Sequence, residues 1–169
     1  ERMRAVKGAI FYMLQEAYQK RDRVGMIAFR RQQAELLLPI TRSVDLAQKC
    51  LAELPTGGKT PLADGLAMAL QTLSMLNKHD SELEPILVLV TDGRANATEA
   101  DGGDPVASAL KMAERIGKAK ITSVVIDTES DFIKLGLAKR VAAAMGANYY
   151  TLQRLTKDSI IRIVRNLDV

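Results

Sequence analysis

The spacing of apolar residues along the chain predicts helices that alternate with short strands. Apolar residues recur at helical spacing over residues 1–19 and again over Ser43–Leu54, and Pro61 predicts the start of a helix that runs to about Asn77. The remaining helices are predicted over Pro105–Lys118, Phe132–Met145 and Lys157–Asn166, and the strands over Val24–Phe29, Ala34–Ile40, Ile86–Val90, Ile121–Ile126 and Asn148–Leu152.

This alternation predicts an α/β fold with a doubly wound, mostly parallel sheet and helices on both faces. The run Ile86–Val90, ILVLV, is aliphatic at every position, which makes it the best candidate for a central strand buried on both faces. Pro39 lies inside the second predicted strand and favours an edge position there. Because the loops at the carboxyl ends of parallel strands form the functional edge of such a sheet, Asp92 is a candidate site residue.

Composition narrows the class of protein to one ordinary globular domain. Hydrophobic residues make up 47% of the 169 residues and charged residues 26%, which is typical of a folded chain. The single cysteine, Cys50, excludes an internal disulfide and favours a reducing compartment. The net charge is +4, but 24 basic residues are interleaved with 20 acidic ones and aromatic residues are only 4%, so no nucleic-acid partner is expected. The longest apolar run is too short to span a membrane.

The segment TGGKTP, which ends at Pro61, admits three interpretations. Its triplet GKT is shared with phosphate-binding loops, but such a loop has a glycine where this chain has Glu53, and it follows a strand rather than a helix. Thr60 is also well placed to be the N-cap of the helix that begins at Pro61. In the third interpretation Thr60 and Asp92 lie at the same edge of the sheet and share an ion, because Mg²⁺ selects hydroxyl and carboxylate oxygens.

The sequence offers no catalytic set that competes with these interpretations. The only histidine, His79, is expected at the exposed end of a helix, and no motif places a serine or cysteine nucleophile beside it. The domain itself is therefore not expected to be catalytic.

Thr60 in TGGKTPL and Asp92 in TDG resemble two parts of the metal-ion-dependent adhesion site of von Willebrand factor A domains, also called integrin I domains. In that family the site is built from three loops, the first of which carries DxSxS after the first strand. No DxSxS occurs in residues 1–169. The resemblance therefore implies that residues 1–169 form a Rossmann-like, three-layer domain of this family that is incomplete at its N-terminus, with the first central strand absent and expected upstream.

Longer segments resemble the carboxyl-terminal domain of the magnesium chelatase D subunit family. They are RDRVGMIAFR, AELLLPITRSVDLA, LAELPTGGKTPLADGLAMAL and LVTDGRAN. The resemblance implies a docking module of the ATP-dependent complex that inserts Mg²⁺ into protoporphyrin IX, with the AAA+ I subunit and the porphyrin-binding H subunit as partners. It further implies Mg²⁺ or Mn²⁺ at Thr60 and Asp92, ATP bound elsewhere in the complex, and a chloroplast stroma or a bacterial cytoplasm as the location. Arg94 and Asn96 flank Asp92 and are expected to contact the partner.

Two other functions remain open at the level of the sequence. The first is a structural domain of the same family with a non-functional metal site, in which Thr60 only caps a helix and Asp92 only stabilises its turn. The second is an enzyme domain that binds a nucleotide or another phosphate at the same edge, although the chain has no glycine-rich loop directly after a strand.

Overall fold

The computed structural model describes residues 2–30, 33–54, 60–95, 103–129 and 136–165. Helices and strands alternate along most of the chain, which confirms the predicted α/β class. The helices are α1 (Arg2–Gln19), α2 (Val44–Ala52), α3 (Leu62–His79), α4 (Pro105–Lys118), α5 (Leu137–Met145) and α6 (Lys157–Val164), and the strands are β1 (Val24–Arg30), β2 (Gln33–Thr41), β3 (Ile86–Thr91), β4 (Thr122–Asp127) and β5 (Asn148–Thr151).

The strands form two separate sheets. Strands β1 and β2 pair as an antiparallel hairpin, and β3, β4 and β5 form a parallel sheet with β4 in the middle. Within the described ranges no hydrogen-bonded pairing joins β1 to β3. The two sheets are instead connected by helices, because α3 packs on the hairpin and on α4, while α1 packs on α2 and on α6.

Helices cover both faces of the parallel sheet, as the alternating pattern predicted. On one face α3, α4 and α5 enclose the largest buried cluster, which includes Leu66, Leu89, Ile116, Val125 and Val141. On the other face α1 and α6 meet the sheet in a second cluster, formed by Met13, Val124, Ile126, Ile160 and Ile163. A third cluster joins the hairpin to α1 and α2 through Leu14, Leu38, Ala47 and Leu51. Alternate residues of the parallel strands thus point into different clusters, which fixes the register of the sheet.

The prediction that Ile86–Val90 is the central strand is wrong for the sheet that the structure describes. Strand β3 lies at the edge of that sheet, and Leu89 and Thr91 are its only buried residues. Strand β4 has neighbours on both sides, and five of its six residues are buried. An all-aliphatic strand indicates that helices cover both of its faces, which is true of β3. It does not indicate how many strands pair with it.

The starts of α2 and α4 follow polar N-cap residues. Ser43 caps α2 through a bond from the Leu46 backbone N–H (3.2 Å), and Asp104 caps α4 through a bond from the Val106 N–H (3.0 Å). The helix predicted from Phe132 begins only at Leu137, because Gly136 at φ 73° has a left-handed backbone that a helix cannot include. Phe132 itself, and Asn166 at the predicted end of α6, lie outside the described residues.

Candidate functional site

The turn after β3 is fixed by its own side chains and by a glycine. The Thr91 hydroxyl, which is buried, accepts a hydrogen bond from the Gly93 N–H at 3.1 Å. Gly93 has φ 79°, a value that a side chain disfavours, and a Cβ there would also lie 3.5 Å from the Ala138 backbone nitrogen in α5. The sequence TDG therefore forms a tight turn that lies against the start of α5 and presents Asp92 at the carboxyl edge of the sheet.

Asp92 presents a partly exposed carboxylate whose nearest described partner is Arg94. Its Oδ1 accepts a bond from the Arg94 backbone N–H at 3.0 Å, and its Oδ2 lies 3.7 Å from the Arg94 Nε. The side chains are 39% exposed for Asp92 and 65% for Arg94, so the ion pair is solvated and weak. The structure thus brings two predicted site residues together, whereas the third, Asn96, lies outside the described residues.

The prediction that Thr60 is the N-cap of α3 is wrong. Pro61, at φ −82° and ψ 70°, occupies the cap position, and α3 begins at Leu62. The Pro61 carbonyl accepts the first helical bond from Gly65, and the Thr60 carbonyl accepts a bond from the Leu62 N–H at 3.0 Å. Because Pro61 occupies the N-cap position, Thr60 lies one residue before the cap. Thr60 is half-buried just before the helix.

A phosphate-binding loop is not supported by the order of the elements. Helix α2, not a strand, comes before the segment that contains Gly58 and Lys59, and residues 55–59 lie outside the described ranges. Among the described elements no strand leads directly into α3, and it is that strand-to-helix order that places backbone N–H groups around a phosphate.

A second carboxylate lies at the same edge, and the sequence analysis missed it. Asp127 at the end of β4 is buried, its Oδ1 accepts a bond from the Glu129 N–H at 2.8 Å, and its Oδ2 accepts one from the Tyr149 hydroxyl. Partial burial, this hydrogen bond and the negative charges of Asp127 and Glu129 together raise the pKa of Tyr149 to about 12. The signal was available, because Asp127 follows the strand ITSVVI much as Asp92 follows ILVLV.

Backbone contacts connect the ends of β3 and β4. The Thr128 N–H donates to the Thr91 carbonyl at 2.9 Å, which extends the strand pairing beyond the last ladder residues. The Glu129 carboxylate lies beside Gly93, where a Cβ would be in ordinary contact with Oε2 at 3.7 Å. The turn that carries Asp92 is therefore supported from one side by the segment that Asp127 and Tyr149 hold in place.

The oxygen atoms of Asp92 and Thr60 are of the type that binds a hard divalent cation. The Asp92 carboxylate is accessible to solvent and the Thr60 hydroxyl precedes α3, and both are oxygen ligands that Mg²⁺ accepts. Over the described residues, no group of three or more His, Cys, Asp or Glu side chains converges on one point. This part of the chain thus supplies two candidate oxygen ligands, and His79 at the end of α3 is exposed and distant from them in sequence.

Comparison with known proteins places the chain among von Willebrand factor type A domains. A profile of that family matches residues 1–95, which is more than half of the chain. An uncharacterized protein of Methanocaldococcus jannaschii is 41% identical over 169 residues, covering 99% of this chain and 96% of that protein. The magnesium-chelatase 67 kDa subunit of Heliobacterium mobile is 37% identical over 98% of this chain, which spans only 26% of that subunit.

Solved structures agree on the fold. The conserved hypothetical protein BatB from Bacteroides thetaiotaomicron superposes with a TM-score of 0.72 over 97% of this chain and 87% of that one, at 15% sequence identity. Across the described residues, no helix is long and apolar enough to cross a membrane.

Proposed function

Because the chain belongs to the von Willebrand factor type A domain family and is homologous to magnesium-chelatase subunits, we propose that it is a metal-dependent protein-interaction module of a chelatase complex. The observation that carries the proposal is the exposed carboxylate of Asp92, held at the carboxyl edge of a parallel sheet by the Thr91–Gly93 turn. That edge is where α/β sheets bind their ligands.

Asp92 and Thr60 would hold the cation, either Mg²⁺ or Mn²⁺, through one carboxylate and one hydroxyl oxygen. When bound, the ion supplies a coordination position that a carboxylate of a partner protein can fill. Asp92 must release Arg94 to serve as a ligand, and the solvated geometry of that pair makes the exchange inexpensive. Arg94 and Asn96, which flank Asp92 in the sequence, would then contact the partner's carboxylate or its neighbours.

The partners and the overall reaction are proposals by homology. The 67 kDa relative is a magnesium-chelatase subunit, and this chain spans 26% of it. We propose that the domain docks the AAA+ I subunit and the porphyrin-binding H subunit during ATP-dependent insertion of Mg²⁺ into protoporphyrin IX. The domain would contribute no porphyrin chemistry of its own, and it would operate in a chloroplast stroma or a bacterial cytoplasm.

The test is a binding measurement with a matched substitution. The chain would be immobilised in two forms, as it stands and fused at its N-terminus to a β-strand that ends in DxSxS. Binding of the I and H subunits would be measured with Mg²⁺, with EDTA, and with Asp92→Ala. Asp80→Ala is the control, because Asp80 is a half-buried aspartate in an ion pair with Arg23 at the end of α3.

We expect the fused form to bind a subunit in Mg²⁺, and to lose that binding both in EDTA and on Asp92→Ala, while Asp80→Ala leaves it unchanged. Binding that survives EDTA and the Asp92 substitution would favour a second candidate, a structural domain of the family whose metal site is not functional. The ion pair between Asp92 and Arg94, together with the two-ligand set, is the observation that favours that candidate.

A further inference from the structure

A groove runs between the outer surfaces of α3 and α4, on the helix layer that covers one face of the parallel sheet. Its walls are Ala67, Leu70, Gln71 and Ser74 from α3 and Met112, Arg115, Lys118 and Ala119 from α4. Leu70 and Met112 are half-buried and rest on the main core, so they form an apolar floor that stays accessible from outside. The groove thus combines apolar surface with polar walls, as peptide-binding grooves do.

One wall of the groove carries two cations, Arg115 and Lys118, which are exposed and lie three residues apart on α4. Lys111 is exposed one turn before them and lies outside the lining. None of the residues that line the groove is acidic. In the part of the chain that the structure describes, no ion pair involves these three side chains, and Arg115 contacts only the Met112 sulfur at 3.8 Å. Glu114 is exposed on the same helix but does not line the groove, so among the described lining residues the charged ones are Arg115 and Lys118.

We propose that the α3–α4 groove binds an acidic peptide segment of a partner protein. An apolar side chain of the peptide lies over Leu70 and Met112, and its carboxylates lie against Arg115 and Lys118. An acidic peptide with an apolar side chain matches the groove, because the apolar floor favours an apolar group and the two cations of the lining attract carboxylates.

The groove is distinct from the edge that carries Asp92. It begins at Ala67, seven residues after Thr60, and extends to Ser74, so along the helix axis it covers a stretch roughly 10 to 20 Å from Thr60. Peptide binding in the groove is therefore independent of a divalent cation. This difference separates the present proposal from the metal-dependent docking proposed above.

The experiment uses a fluorescein-labelled synthetic peptide of Glu, Asp and Leu residues, with a peptide that has Lys in place of the acidic residues as the charge control. Fluorescence anisotropy gives its affinity for the chain. The test variant is Arg115→Glu with Lys118→Glu. The matched control is Arg42→Glu with Lys49→Glu, which changes the charge equally at an exposed arginine and an exposed lysine near and within α2.

A third variant fills the groove without changing charge. Ser74→Trp places a large side chain over the floor at an exposed position of α3, where folding should be unaffected. Circular dichroism of every variant verifies the fold, and sedimentation velocity reports self-association.

We expect the Arg115/Lys118 variant and the Ser74 variant each to weaken binding of the acidic peptide by about ten-fold, with the Arg42/Lys49 control within about two-fold and EDTA without effect. The proposal is overturned if the acidic peptide fails to bind, if both charge variants weaken binding equally, or if Ser74→Trp has no effect. It is also overturned if EDTA abolishes binding, which would locate the peptide at the Asp92 edge. Self-association that Arg115→Glu and Lys118→Glu abolish would assign the groove to a second copy of the chain instead.

Discussion

Asp127 accepts two hydrogen bonds at the carboxyl edge of the sheet, and one of them comes from a residue 22 positions away, Tyr149. Removal of the Tyr149 hydroxyl leaves a buried carboxylate oxygen without its donor. Tyr149→Phe is therefore expected to lower the free energy of unfolding by about 1–3 kcal/mol, the usual cost of an unsatisfied buried group.

Urea unfolding monitored by circular dichroism measures this change. Tyr18→Phe is the matched control, because the Tyr18 side chain is among the exposed ones and its loss should change the free energy of unfolding very little. Equal effects of the two substitutions would show that the hydrogen bond from the Tyr149 hydroxyl to Asp127 contributes nothing to the free energy of unfolding.

The same hydroxyl predicts how stability depends on alkaline pH. The pKa of Tyr149 is about 12 in the folded chain and 10.0 as the ordinary tyrosine value, so the folded state holds the proton more tightly than the unfolded state. The resulting stabilisation is complete below pH 10 and is lost as the pH rises through the interval from 10 to about 12. Tyrosinate absorbance during a pH titration should show one late-titrating tyrosine that Tyr149→Phe removes. If Tyr149→Phe leaves the absorbance change near pH 12 intact, the effect is absent.

At the scale of elements, α4 and α5 approach each other closely at a glycine. A Cβ on Gly117, in the last turn of α4, would lie 2.5 Å from the backbone oxygen of Ala144 in α5. Backbone cannot move aside as a side-chain tip can, so Gly117→Ala is expected to destabilise the fold by about 1–3 kcal/mol.

Gly8 provides the control for that substitution. It lies inside α1, and a Cβ there would meet nothing within 4 Å. Gly8→Ala should therefore stabilise the chain by roughly 0.5–1 kcal/mol through helix propensity alone. Thermal unfolding of both variants tests the pair, and the expectation fails if the two substitutions shift the melting temperature in the same direction.

At the scale of the whole molecule, the two sheets should not be equally protected. Strand β4 is paired on both sides and buried, whereas β1 has one described partner strand, and no described strand pairing joins its hairpin to the parallel sheet. We expect amide hydrogens of β4 to exchange the most slowly and those of β1 and β2 clearly faster, because local opening needs fewer contacts to break there. Hydrogen-deuterium exchange read by mass spectrometry measures the order, and indistinguishable rates for β1 and β4 would contradict it.

The sequence predicted the order and type of the elements well, because apolar spacing depends on local periodicity. Ser43 and Pro105 gave correct helix starts for the same reason. It failed where the answer depends on tertiary arrangement. The number of strands beside Ile86–Val90 is not encoded in that run, and the bond from Tyr149 to Asp127 joins two strands that only the folded sheet brings together.

The candidate site was predicted only in part. Asp92 and Arg94 were found because an acidic residue after a buried strand and a TDG turn are visible in the sequence. The role of Thr60 as a cap was misplaced by one residue, because the ψ of 70° at Pro61 is a property of the folded backbone. Whether Thr60 and Asp92 bind a cation stays a prediction, and the binding experiment with Asp92→Ala addresses it.

The edge of β1 away from β2 and the edge of β3 away from β4 carry rows of backbone N–H and C=O groups that no strand pairs with among the described residues. Such rows act as templates for other extended chains. Residues 1–169 prepared without the expected upstream strand would therefore tend to add to other copies edge to edge in a concentrated solution, in the manner of early fibril growth. The protein should therefore be purified at low concentration. Fluorescence of an amyloid-binding dye would detect edge-to-edge association during storage.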